Sequence, residues 1–127
     1  GASHIFDRGF ITYSNESKVE LLGVPREIIE KNGAVSPQTA KAMAEGLLSR
    51  TSSNMALAVT GIAGPGGGTP EKPVGLVYVA VADRSQTRVS RFNFVGNRQR
   101  NKLMTAKYAL NTLRLFIQSN GKSPKND

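Results

Sequence analysis

The run Thr60-Gly61-Ile62-Ala63-Gly64-Pro65-Gly66-Gly67-Gly68-Thr69-Pro70-Glu71-Lys72-Pro73-Val74-Gly75 joins two apolar segments through a loop too rich in glycine for an ordinary connector. Glycine lets backbone N–H groups come close to an anionic or planar group, so the loop reads as a ligand-binding loop leaving the end of a core strand. Stretches of this length without secondary structure are long for a compact domain and tend to be functional or disordered. The same composition also fits a plain surface hairpin, because Gly and Pro are the commonest loop residues. Neither the closing Gly-Lys-Ser/Thr of a P-loop nor the helix that directly follows the glycines of a dinucleotide fingerprint is present. Thr60 places a hydroxyl at the strand end.

A second constellation, Tyr13-Ser14-Asn15-Glu16-Ser17-Lys18, puts a phenol, hydroxyls, an amide and an ammonium where a strand passes into a helix. A desolvated lysine can lose its proton near neutrality and act as a base, and a tyrosine can relay a proton to a hydroxyl nucleophile. The plainer reading makes Ser14 or Asn15 an N-cap and leaves Glu16 and Lys18 as solvated helix residues. Arg98 follows Gly96-Asn97 at an expected helix start, where a guanidinium and free N–H groups suit a phosphate or carboxylate. A surface arginine would look the same.

Composition narrows the chemistry. The chain has 127 residues, 39% of them hydrophobic, which is one domain with a real core. It has no cysteine, so disulfides, thiolate metal sites and a cysteine nucleophile are excluded. A single histidine, His4, is too few for a histidine-based zinc site or a Ser-His-Asp triad within this chain. Catalysis must therefore use Lys, Tyr, Ser, Thr or carboxylates. With no apolar run near the ~18 residues of a membrane span and no charged-then-apolar leader, a soluble, cytoplasmic protein without a membrane partner is expected.

The net charge of +8 is lopsided: residues 1–83 carry 7 Lys/Arg against 8 Asp/Glu, and residues 84–127 carry 10 against only Asp127. That asymmetry implies an anionic partner: nucleic acid, an acidic face of a neighbouring subunit, or a phosphorylated small molecule. Nucleic acid is the weakest of these, because Phe92, Phe94, Tyr108 and Phe116 are spaced for burial rather than base stacking.

Periodicity then places the elements. Residues 6–13 are β-prone; 16–22 read as a helix stopped by Gly23; 26–31 as a helix opened by Pro25 and closed by Asn32-Gly33. Ser36-Pro37 caps a helix to about Arg50 whose apolar face is Ala40, Met43, Ala44, Leu47 and Leu48. Strands are expected at 55–59, 75–82 and 87–95, the last an antiparallel hairpin partner after a turn at 83–86. Leu103, Ala106, Leu110, Leu113 and Ile117 mark a long amphipathic helix over about 98–118, and 119–127 reads as a disordered polar tail. The expectation is a three-layer α/β/α domain with a mixed sheet of about four strands, on which helices 36–50 and 98–118 pack.

The chain resembles the C-terminal domain of the CinA competence/damage-inducible proteins, whose stand-alone versions act as nicotinamide mononucleotide (NMN) deamidases. The likeness covers about residues 3–118. It rests on Thr-Tyr-Ser-Asn-Glu-x-Lys at 12–18, Leu-Leu-Gly-Val-Pro at 21–25, Gly-Ala-Val-Ser at 33–36 and Ala-Met-Ala-Glu-Gly at 42–46. Ala-Val-Thr-Gly-Ile-Ala-Gly-Pro at 58–65, Gly-Gly-Thr-Pro-Glu-Lys-Pro-Val-Gly at 67–75 and Gly-Asn-Arg at 96–98 extend it. The resemblance implies hydrolysis of NMN to nicotinic acid mononucleotide and ammonia, without a metal or other cofactor, by a homo-oligomer. It also implies a Glu-Ser-Cys-Thr-Gly-Gly segment with a nucleophilic serine upstream of residues 1–3. That segment is absent from these 127 residues, which therefore read as the family domain without its first helix, inactive for lack of the serine. By the same resemblance Tyr13 and Lys18 activate the serine, and Thr60 belongs to the catalytic set. Ser14, Asn15, Gly61, Ile62, Ala63 and Gly64 line the nucleotide pocket, and Arg98 clamps an anion. Where family members often carry Ile and Arg, this chain has Asn101 and Lys102. A non-catalytic nucleotide-binding or assembly domain is the alternative.

Overall fold

A computed structural model describes residues 15–121, in side-chain detail for all but 16, 17, 120 and 121. Four helices, α1 (Asn15–Leu22), α2 (Arg26–Asn32), α3 (Pro37–Ser49) and α4 (Arg98–Gly121), surround three strands, β1 (Met55–Gly61), β2 (Leu76–Asp83) and β3 (Thr87–Asn93). The sheet order is β1-β2-β3, and both pairings are antiparallel, with Val59 opposite Val79 and Val79 opposite Ser90.

The antiparallel order follows from connectivity. β1 reaches β2 through a loop without a crossover helix, and parallel neighbours need such a crossover. The glycine-rich loop is thus the connection of a β-hairpin rather than the exit from a parallel strand. Among the described residues the sheet has three strands, one fewer than expected and none of them parallel; the expected strand at 6–13 lies outside the described residues.

Period-two alternation divides the two faces. Ala56, Ala58, Ala80 and Ala82 meet Ala40, Met43, Ala44 and Leu48 of α3, with Leu22, Val24 and Ile29 completing that layer. Four alanines on the sheet let α3 lie close to it. Gly46 of α3 serves the same end at the next contact, since a Cβ there would collide with the Leu22 carbonyl. Ser36 caps α3, its Oγ accepting from the Thr39 N–H at 3.1 Å, an arrangement that contributes about 1 kcal/mol. On the opposite face Val77, Val79 and Val81 pack against Ala109 and Phe116 of α4. The result is three layers, helices on both sides of the sheet. No described helix is long and apolar enough to cross a membrane.

α4 departs from expectation in length and in facing. It runs through 119–121, so the polar stretch expected to be disordered begins as helix; 122–127 lie outside the described residues. Asn101, Ala109 and Phe116 turn inward, whereas Leu103 and Leu110 are 68% and 63% exposed. The leucines repeat every seven residues and so do Ala109 and Phe116, so periodicity alone does not say which stripe meets the sheet. Ala109 is small enough for close approach, and Phe116 fills the space beside it. Phe92, Phe94 and Tyr108 cluster with centroids 5.3–5.8 Å apart, and the Arg88 guanidinium lies 5.3 Å over the Phe116 ring. The aromatics are used in packing, as their spacing indicated. Arg88 and Arg91 are exposed along β3, the strand at one edge of the sheet among the described residues.

Candidate active site

Lys18 lies on α1, one turn before Leu22, so the side chain that buries Leu22 in the core also draws Lys18 inward. It is 7% exposed, the only ionisable side chain among the described residues that is buried, and burial pushes its ammonium pKa down. The solvated-helix reading of Lys18 therefore fails. Asn15 begins α1 and is exposed, while Tyr13 and Ser14 lie outside the described residues.

Thr60 ends the buried face of β1, where its hydroxyl donates to the Ala34 carbonyl at 2.7 Å. That carbonyl belongs to the α2–α3 turn, in which the Ser36 and Thr39 hydroxyls both donate to the Gly33 carbonyl, at 3.0 and 2.7 Å. The hydrogen of Thr60 is thus committed to holding the turn, and its lone pairs are what remain for a ligand. Among the described residues no hydrogen bond joins Lys18 to Thr60.

Beyond Thr60 the loop residues divide by what their backbones do. Gly61 still pairs with Val77, and the Ile62 N–H donates to the Leu76 carbonyl at 2.9 Å while its own carbonyl accepts from the Gly75 N–H at 2.7 Å. Gly75 has φ +95° and passes against β3, where a Cβ would strike the Phe94 carbonyl. Next come the carbonyls of Ala63 and Gly64, which accept from Asn101 Nδ2 at 3.0 Å and from Arg98 Nη1 at 2.9 Å. Among the described residues nothing accepts from the N–H groups of Ala63, Gly64, Gly66, Gly67 or Gly68. These are the backbone donors that the loop leaves unused among the described residues.

Ala63 and Gly64 adjoin the start of α4. Asn97 Oδ1 accepts from the Arg100 N–H at 2.8 Å and caps the helix, whose first-turn N–H groups and positive dipole end favour negative charge. An open cavity of about 610 Å³ is lined here by Ala63, Pro65, Val74, Asn97, Arg98 and Gln99, with Gly96 at its rim. The structure thus brings Ala63, Gly64 and Arg98 together. Thr60, whose side chain faces the α3 layer, is joined instead to the α2–α3 turn. No group of His, Cys, Asp and Glu side chains that could hold a metal occurs among the described residues.

Two residues that touch this loop escaped the sequence reading. Asn101 is 1% exposed; its Nδ2 donates to the Ala63 carbonyl and, at 3.3 Å, to the Gly96 carbonyl, while its Oδ1 has no partner among the described residues. Its one signal was a polar residue a turn after Asn97, which does not reveal that the helix turns it inward. Lys72 lies within the loop run without a role of its own in the sequence reading, and its Nζ donates to the Asn32 carbonyl at 2.6 Å.

Residues 1–117 match the family model for the CinA C-terminal domain. A competence-damage inducible protein of Caldicellulosiruptor bescii is 58% identical over 117 residues, 92% of this chain and 28% of that protein. A CinA-like protein of Geotalea daltonii is 53% identical over 114 residues, 90% of this chain and 28% of its own length. The chain thus spans little more than a quarter of these curated relatives. Among solved structures, the competence/damage inducible protein CihA from Agrobacterium tumefaciens superposes with a TM-score of 0.83 at 47% identity, covering 86% of this chain and 67% of that one. With a family match over nearly its whole length and a fold shared at high identity, the chain belongs to the CinA C-terminal domain family.

Proposed function

We propose that this domain deamidates NMN to nicotinic acid mononucleotide and ammonia. The observation that carries the reading is Lys18, a buried amine with a lowered pKa at the helix end of the family's Tyr-Ser-Asn-Glu-x-Lys motif. Burial favours the neutral amine, which is the form able to take a proton. In the proposed reaction Lys18, aided by Tyr13, removes the proton of the family's serine as its oxygen attacks the carboxamide carbon. The tetrahedral oxyanion collapses and expels ammonia, which carries that proton away, and water then hydrolyses the ester. The free N–H groups of the glycine loop suit the oxyanion or the phosphate, and Arg98 suits the phosphate. Thr60 positions the α2–α3 turn and, with the backbone of Gly61 and Ile62, completes the proposed nucleotide-binding set, to which Ser14 and Asn15 belong by the family resemblance.

On a polypeptide that also contains the Glu-Ser-Cys-Thr-Gly-Gly segment, the domain should release one ammonia per NMN consumed, at a rate indifferent to EDTA. Absence of ammonia would overturn the reading, and NMN binding without ammonia would support the non-catalytic nucleotide-binding alternative.

The proposed assembly is a homo-oligomer. Leu103, Leu110 and Ile117, seven residues apart, leave an exposed apolar stripe on α4, and such patches on soluble proteins mark contact surfaces. The 127-residue polypeptide should therefore sediment as more than a monomer at micromolar concentration, and Leu103→Glu with Leu110→Glu should shift it to monomer with its circular dichroism unchanged. A parent that sediments as a monomer would refute this.

A further inference from the structure

Lys72 has no part in the reaction as set out above, yet its contacts are specific. Around it the loop makes a tight turn: the Thr69 N–H donates to the Lys72 carbonyl at 2.8 Å, and the Lys72 N–H donates to Thr69 Oγ1 at 3.0 Å. From that turn the half-buried side chain reaches the Asn32 carbonyl, forty residues away in the sequence, at the end of α2. A last-turn carbonyl of this kind has no partner within its helix, and a cation there is favoured by the helix dipole. The fit leaves no slack, since a Cβ on Gly33 would lie 2.7 Å from Lys72 Nζ. At the other end of the loop, Asn101 and Arg98 hold the Ala63 and Gly64 carbonyls to α4. One loop is therefore fastened to helices on both faces of the sheet. The exposed span between the fastenings is Gly66, Gly67 and Gly68, whose N–H groups are unused among the described residues.

We propose that Lys72 is a positioning residue, which pins the loop to α2 so that the Gly66–Gly68 amides are held ready for an oxygen of the nucleotide, without itself touching the substrate. The proposal rests on the NMN reading for its substrate. The fastening itself is independent of that reading.

Lys72→Met and Lys72→Arg test it with two readouts. In hydrogen exchange without ligand, Lys72→Met should speed exchange at residues 66–72 by about tenfold or more while β2 and α3 keep their protection, as a local opening does. Lys72→Arg, whose guanidinium can still donate to the Asn32 carbonyl, should restore much of the protection. In turnover by a polypeptide that also carries the Glu-Ser-Cys-Thr-Gly-Gly segment, Lys72→Met should lower kcat/KM by roughly 10- to 100-fold, the scale of a small misplacement. The loss should be the same for NMN and for nicotinamide riboside, which lacks the phosphate, whereas Arg98→Ala should penalise NMN selectively. Unchanged exchange in Lys72→Met, or a loss confined to NMN, would overturn the proposal, the second by making Lys72 a phosphate ligand. If a polypeptide that also carries the Glu-Ser-Cys-Thr-Gly-Gly segment releases no ammonia, the NMN reading fails, and the exchange measurement alone still decides whether Lys72 pins the loop.

Discussion

In a polypeptide that also carries the Glu-Ser-Cys-Thr-Gly-Gly segment, Lys18→Met should reduce NMN deamidation by about 10²- to 10⁴-fold, the usual worth of a general base, while the protein stays folded. The substitution keeps a long unbranched side chain and removes only the amine. Lys18→Arg should be nearly as damaging, because a guanidinium replaces the charge but cannot give up its proton near neutral pH. Retention of most activity by Lys18→Arg would reduce Lys18 to an electrostatic clamp. Stability supplies a second, independent measure. Burial lowers the Lys18 pKa in the folded state, so between that lowered value and the ordinary lysine value the unfolded chain binds the additional proton, and stability rises with pH. Below the lowered value the folded protein carries the full cost of a buried ammonium. Lys18→Met should therefore raise the denaturation midpoint at neutral pH and flatten its rise toward alkaline pH, and a midpoint that falls would show that the amine is stabilised where it lies.

The 127-residue polypeptide on its own should release no measurable ammonia from NMN, because none of its serines or threonines occupies the family's nucleophile position. Deleting a covalent nucleophile costs several orders of magnitude. Fusing the Glu-Ser-Cys-Thr-Gly-Gly helix of a relative ahead of residue 1 should restore turnover, and Ser→Ala within the added segment should abolish it again. Turnover by the unfused polypeptide equal to that of the fusion would contradict the assignment and bring Ser14 or Thr60 forward as nucleophile.

Much of this architecture is legible in the sequence because local signals and long-range packing agree. Ser36-Pro37 marks the start of α3 and the cap forms there, and the alanine and leucine face assigned to that helix is the one that meets the sheet. Strand order was open to a direct argument, since a loop without a crossover helix forces β1 and β2 to run antiparallel. The facing of α4 was not legible: two stripes share the seven-residue repeat, and only the space above Val79 and Val81 selects Ala109 and Phe116. In the candidate site, the sequence shows which residue types are present but not where each spends its hydrogen bonds. Thr60 and Arg98 carried a chemical signal, and the structure shows each already holding a backbone carbonyl. Lys72 and Asn101 carried almost none, because their partners lie 40 and 38 residues away.

The four alanines beneath α3 have a consequence for how such a domain tolerates change. They fix the height at which α3 rides above the sheet, and the Gly33–Ser36 turn that Thr60 grips is carried on the near end of that helix. An extra pair of methyl groups at Ala58 or Ala80 would lift the helix like a shim under a beam and draw the Ala34 carbonyl away from Thr60. Both alanines therefore belong to the set of positions where a conservative apolar enlargement would detune the pocket. Drift in this core is thus confined to residues no bigger than those already present.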